Sequence, residues 1–179
     1  MSKYCFDIET SPENQLDVIK DGKYSPNPIK EKILCICLLN IDTGVITSHS
    51  GSEAMILSSF WQHVNKENKF YGFNSNSFDL QYILIRSFIN NVKISSDYNI
   101  NNFIDMRNFL YPVNSFMKGT LRELLLNFGI AAKTNNGSEI FNLYKLNMID
   151  EIIKHCAEDC ELSKVLYNKL VELGFIKNL

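Results

Sequence analysis

The sequence predicts an α/β domain, and three observations carry that reading. Apolar runs of strand length occur at 4–10, 33–40 and 70–73, apolar stripes at helical spacing occur at 53–66, 78–88 and 121–128, and a long helical pattern covers 148–173. With 179 residues, 45% apolar and 21% charged, the chain is long enough to bury a real core, and residues 1–179 are expected to form a single domain.

The first run, Tyr4-Cys5-Phe6-Asp7-Ile8-Glu9-Thr10, organises the rest. Side chains of a strand alternate, so Tyr4, Phe6 and Ile8 share one face while Cys5, Asp7 and Glu9 share the other. Two neighbouring carboxylates on a central strand repel each other and lose hydration unless a cation or hydrogen-bond donors compensate. Alternatively, the strand ends at Asp7 and both acids are solvated. The polar stretch 11–32, with Pro12, Pro26 and Pro28 and the lysines Lys20, Lys23, Lys30 and Lys32, reads as a long exposed loop carrying a short helix over 13–19. Those lysines either reach a phosphate backbone near the end of the first strand or decorate a solvated insertion.

The run 33–40 and the segment 44–49 form a hairpin, with His49 expected to be exposed at the end of an outer strand. Ser50 and Glu53 have capping-box spacing, and Ile56, Leu57, Phe60, Trp61 and Val64 then recur on one face of a helix, with His63 at its surface. A short strand at 70–73 leads through the polar turn 74–77 into the helix opened by Phe78, Asp79 and Leu80. An acid in a first helical turn commonly does no more than complement the helix dipole. The strand, turn and helix nevertheless place Asn74 and Asp79 near the carboxyl edge of a sheet, where ligands of open α/β sheets gather.

Residues 103–106 read as a further strand, and Asp105 on it as a carboxylate with a structural role. Thr120 caps a helix that Gly129 ends, with Leu121, Leu124, Leu125 and Phe128 as its core stripe. The polar segment 131–147, containing Asn135-Asn136-Gly137-Ser138, is expected to be an irregular, mobile stretch. On the final helix His155 and Asp159 are four apart and so share a face, as a surface ion pair or as a functional couple. Cys156 and Cys160 lie on an adjacent face and read as packing, since an intrahelical metal pair would lack further ligands.

A formal charge of −2 gives no global basic footprint, so a nucleic-acid partner would be met by local lysines and a bound metal. Five cysteines without Cys-x-x-Cys spacing favour neither a disulfide framework nor a structural zinc site, and are expected to be reduced core residues. No apolar run approaches the roughly 20 residues of a membrane span, and no signal-peptide pattern occurs; the expected location is cytoplasmic.

Three separated segments thus carry four acids: Phe6-Asp7-Ile8-Glu9-Thr10, Asn74-x-x-x-Phe78-Asp79, and His155-Cys156-Ala157-Glu158-Asp159. In this order and spacing they resemble the three motifs of the DEDD 3′–5′ exonuclease superfamily, most closely the proofreading domain of family-B DNA polymerases. The stretch 72–83 resembles that family's second motif, and 121–129 the helix before its third.

The resemblance implies an RNase H-like α/β fold, with a mixed central sheet of about five strands, the first in the middle, flanked by helices. It also implies that Asp7, Glu9, Asp79 and Asp159 hold two divalent cations, Mg²⁺ or Mn²⁺, for hydrolysis of a terminal phosphodiester. Oxygen-only ligands suit such hard ions. Thr10, Asn74 and Phe78 would contact the terminal nucleotide, and the 11–32 loop and the 131–147 segment would contact the strand. The implied substrate is a single-stranded DNA 3′ end, with release of 5′-mononucleotides, and a proofreading role would need a separate DNA polymerase chain. RNA 3′-end trimming and a catalytically silent end-binding or partner-binding module are the alternatives.

One departure concerns His155. Polymerase-type members of the superfamily carry a tyrosine four residues before the last acid, whereas its histidine branch places the histidine five before; here a histidine stands at the tyrosine spacing. The two positions differ by about 100° around a helix. His155 is expected either to accept a proton from the attacking water or to orient it.

Overall fold

The computed structural model describes residues 1–11, 27–112, 119–130 and 137–177. Its strands are β1 (Lys3–Ser11), β2 (Lys32–Asn40), β3 (Ile46–Ser50), β4 (Lys69–Gly72) and β5 (Phe103–Asp105). They form one sheet in the order β3-β2-β1-β4-β5, so the carboxylate-bearing strand is central, as the sequence predicts. β2 pairs antiparallel with β1 and β3, whereas β4 runs parallel to β1 and β5 parallel to β4. The carboxyl ends of β1, β4 and β5 therefore lie along one edge.

The helices are α1 (Glu53–His63), α2 (Asp79–Ile89), α3 (Arg107–Leu110), α4 (Leu121–Leu126), α5 (Gly137–Lys145) and α6 (Ile149–Glu172). Period-two alternation divides the core into two halves. Phe6, Ile8, Ile36 and Leu38 point into an aromatic-rich half with Phe60, Trp61, Phe70, Leu80 and Phe103. Cys5, Cys35, Cys37 and Leu39 point into the other half, built on Ile152, Cys156, Leu166 and Leu170 of α6. Asp7 and Glu9, in phase with Cys5, accordingly face α6.

Four local expectations are corrected. The Ser50–Glu53 spacing is not a capping box: Ser52 is the α1 N-cap, and the Glu53 carboxylate is pulled inward. It accepts from Ile33 N (2.8 Å), Arg86 Nε (2.8 Å), Arg86 Nη2 (2.6 Å) and Asn90 Nδ2 (2.8 Å), clamping β2, α1 and α2 together. The histidines His49 and His63 are not free at the surface; both are half-buried and their rings lie 5.2 Å apart. The polar 131–147 segment is helical over Gly137–Lys145, because helix propensity and packing against α6 and β1 outweigh its polar composition. Phe128 lies beyond the end of α4 and is 45% exposed, whereas Leu125 of the same predicted stripe is fully buried. The α4 capping box itself holds, with Glu123 N donating to Thr120 Oγ1 and Thr120 N to Glu123 Oε2. The expected helix at 13–19 lies outside the described residues.

Candidate active site

Each of the four acids reaches the site for a local reason. Asp7 and Glu9 are placed by strand alternation at the carboxyl half of β1, next to the register shift at Glu9/Thr10 where β1 leaves its regular pairing with β2. Asp79 is delivered by a turn that begins at the end of β4. There Gly72 is needed for close approach: a Cβ on it would lie 2.4 Å from Ser75 Cβ. Asn74 follows with φ of 62°, in the left-handed region that asparagine tolerates better than most residues.

Asp105 closes this turn by accepting from Asn74 N (2.8 Å), Asn76 N (3.3 Å) and Arg107 N (3.0 Å), the structural role expected of it. The result puts Asp79 in the first turn of α2, buried, with Oδ1 accepting from Ile8 N (3.2 Å) between the two acids of β1. Asp159 comes from α6, whose packing on β1 is fixed locally by Cys156 Sγ donating to the Asp7 carbonyl (3.2 Å).

The electrostatics of the four are those of an under-compensated cluster. Burial, then the charges of Asp79, Glu9 and Asp159, push the Asp7 carboxyl well above its ordinary value. Burial pushes Asp79 up to about 8, against the hydrogen bonds of its own and Ile8's N–H. Glu9 and Asp159 are raised too, burial being the first cause in each case. Two side chains answer part of this. His155 Nδ1 donates to Glu9 Oε1 at 2.6 Å, and the Arg122 guanidinium of α4 pairs with Asp159. The Glu9 hydrogen bond raises the His155 pKa, outweighing burial. Among the described residues no ion pair is formed to Asp7 or Asp79.

Glu9, His155 and Asp159 present ligand atoms within 4.8 Å of one another, beside Asp7 and Asp79. The four carboxylates fit hard divalent cations: they are an oxygen-only donor set, and bound positive charge would relieve the burial and repulsion acting on them.

Of the expected nucleotide contacts, Asn74 is exposed in the turn between β4 and α2 and Phe78 is half-buried, its ring 4.8 Å from that of Tyr82. Thr10 is buried at the end of β1. Lys30 and Lys32 are exposed, whereas Lys20 and Lys23 lie outside the described residues. Sequence reasoning missed Arg122 and the Glu9–His155 hydrogen bond. An arginine at the second position of a helix ahead of the last acid was the available signal for the first.

Fold and site together define an RNase H-like α/β domain with four converging acids. Residues 24–173 match the family described as predicted 3′–5′ exonucleases related to the exonuclease domain of family-B DNA polymerase. The chain belongs to that family. Among solved structures, the family B DNA polymerase from the hyperthermophilic archaeon Pyrobaculum calidifontis superposes with a TM-score of 0.71 at 16% identity. That match covers 97% of this chain and 25% of the polymerase, so the chain spans a quarter of that protein's length; the likeness supports the fold. No curated protein matches. Among the described residues no helix is long and apolar enough to cross a membrane.

Proposed function

We propose that residues 1–179 work as one metal-dependent 3′–5′ exonuclease domain that hydrolyses the terminal phosphodiester of single-stranded DNA and releases 5′-mononucleotides. The observation that carries this reading is the convergence of Asp7, Glu9, Asp79 and Asp159, from three elements far apart in sequence, on one edge of the sheet. Two cations of the Mg²⁺ or Mn²⁺ kind, held by these four, would supply charge neutralisation and Lewis acidity for in-line displacement.

The chain's own groups do the rest. His155 orients Glu9 through Nδ1, and its buried Nε2 has no hydrogen-bond partner among the described residues. That leaves one ring nitrogen able to take or steer the proton of an attacking water. Asn74 and Phe78 line the approach for the terminal nucleotide, with Thr10 beneath it. Work alongside a separate DNA polymerase, in proofreading or repair, is the corresponding partner proposal, supported by the relationship to a polymerase-borne domain.

The test is degradation of 5′-labelled single-stranded DNA with Mg²⁺ or Mn²⁺, against EDTA and Asp159→Ala. A metal-dependent ladder shortening from the 3′ end, absent in both controls, is expected. A ladder only on matched RNA would transfer the assignment to RNA trimming. Binding of 3′ ends without turnover on either would overturn the catalytic reading.

A further inference from the structure

Behind the carboxylates, on the α6 side of the sheet, lies a second cluster of metal-ligating side chains. Cys35 and Cys37 are two apart on β2 and so point the same way, into the core half built on α6. Cys156 meets them from α6, and the three sulfurs lie within 4.8 Å of one another, every one of these residues being 0% exposed. An α6 cysteine pair taken alone lacks further ligands; β2 supplies them for Cys156. Cys160, by contrast, donates to the Cys37 carbonyl (3.4 Å), and Cys5 of β1, in the same core half, is not one of the three grouped sulfurs.

Single buried cysteines are ordinary small apolar residues. Three thiols meeting from two elements form a chelating donor set, and its other polar neighbours are close. Cys37 Sγ lies 3.3 Å from Ser48 Oγ and 3.7 Å from the Ile153 carbonyl. With metal–sulfur bonds of about 2.3 Å, sulfurs around one ion in a trigonal arrangement stand about 4 Å apart. The triad therefore needs to contract by less than 1 Å, within the reach of rotamer adjustment about the Cβ–Sγ positions. The donor type selects a soft ion such as zinc, cadmium or cuprous copper, and rejects the hard ions that suit the four carboxylates.

We propose that Cys35, Cys37 and Cys156 form a soft-metal site, separate from the carboxylate site, that ties β2 to α6 one residue beyond His155. Each thiol gives its proton to the buffer as its sulfur–metal bond forms, so the bonds that Cys156 Sγ donates to the Asp7 carbonyl (3.2 Å) and Cys37 Sγ to the Ile153 carbonyl are exchanged for metal ligation. No electron transfer is involved. The ion would fix the helical turn that presents His155 and Asp159. This inference does not depend on the exonuclease reading.

The probe is Cd²⁺ alone, added to the purified protein in a reducing buffer containing excess Mg²⁺ to occupy the carboxylates, with time allowed for slow entry into a buried site. One Cd²⁺ per chain is expected, accompanied by an ultraviolet thiolate-to-metal charge-transfer band and a higher Tm. Cys37→Ser and Cys156→Ser should lose the band, while Cys5→Ser and Asp159→Asn keep it. Cd²⁺ X-ray absorption on the parent counts the sulfur ligands without any substitution, and three are expected even should a variant fail to fold. Absence of sulfur ligation in the parent, or an undiminished band in both Cys37→Ser and Cys156→Ser, would overturn the site.

Discussion

Replacing Arg122 by methionine separates the protein's own charge compensation from that of a bound cation. The guanidinium pairs with Asp159, whose carboxylate is one of the four proposed metal ligands. The two side chains are 20% and 27% exposed, so the pair is partly screened. A charge-assisted hydrogen bond is worth ~1.5–3 kcal/mol, and solvent screening discounts this pair to about 1–2 kcal/mol. A cation that takes Asp159 must displace or share this interaction. Arg122→Met should therefore tighten Mn²⁺ binding by roughly 5- to 30-fold, at about 1.4 kcal/mol per tenfold. The metal-free variant should lose Tm, and saturating Mn²⁺ should restore it, because a ligand bound only to the folded state stabilises it by mass action. Calorimetric titration of the metal-free protein with Mn²⁺ reads the affinity, and thermal melts with and without the ion read the linkage. Unchanged or weaker Mn²⁺ binding in Arg122→Met would refute the idea that the guanidinium and the cation compete for the same carboxylate.

Three further outcomes follow from the geometry. Asp79→Asn should stabilise the metal-free protein while abolishing hydrolysis. The raised Asp79 pKa means that its ionised form costs stability as pH climbs from the unfolded value towards about 8, on the order of a few kcal/mol at neutral pH; a neutral amide keeps the Ile8 hydrogen bond without the charge, and a lower metal-free Tm at pH 8 would contradict this. Glu53 behaves oppositely: burial alone would raise its pKa, but the bonds from Arg86, Ile33 and Asn90 outweigh it and hold it low. Its stabilisation is present above the unfolded carboxyl pKa and is lost as pH falls through the lower folded value, so acid denaturation of Glu53→Gln should be shallower than the parent's; the same substitution should cost about 3–5 kcal/mol in urea melts at pH 7 by leaving Arg86 buried without its counter-ion. Gly72→Ala should cost about 1–3 kcal/mol, since the new methyl meets Ser75 at 2.4 Å and the turn must shift; hydrolysis should fall further than stability alone accounts for, and full activity would show that the turn does not set Asp79.

What could be read from the sequence divides by the range of the interactions involved. The period-two alternation in 4–10 fixed which side of β1 carries Asp7 and Glu9, because alternation is a property of the strand itself. The helical turn bearing Asp79 and the spacing of His155 and Asp159 were legible for the same reason. Glu53 was misread because the spacing to Ser50 is local, whereas its partners Arg86 and Asn90 lie 33 and 37 residues away. Helix α5 escaped because its stability depends on packing against α6 and β1 more than on its polar composition. The thiol triad was invisible as well: Cys35 and Cys37 share a strand face by spacing, but only the packing of α6 on β2 brings Cys156 to them.

The same packing explains why the site is both buildable and strained. α6 rests on β1 and β2 through apolar contacts that do not discriminate between charged states, so the core delivers Asp159 to Asp7 and Asp79 whether or not charge is balanced there. The chain then sets His155 against Glu9 and Arg122 against Asp159, while Asp7 and Asp79 repel each other without an ion-pair partner among the described residues. For stability alone, neutral side chains at these two positions would avoid the burial and repulsion that both carboxylates carry. A half-buried Asp7 beside a buried Asp79, each raising the other's cost of ionisation, makes sense where a bound cation supplies the missing charge, which is why metal-linked stability and hydrolysis should be lost together when either acid is neutralised.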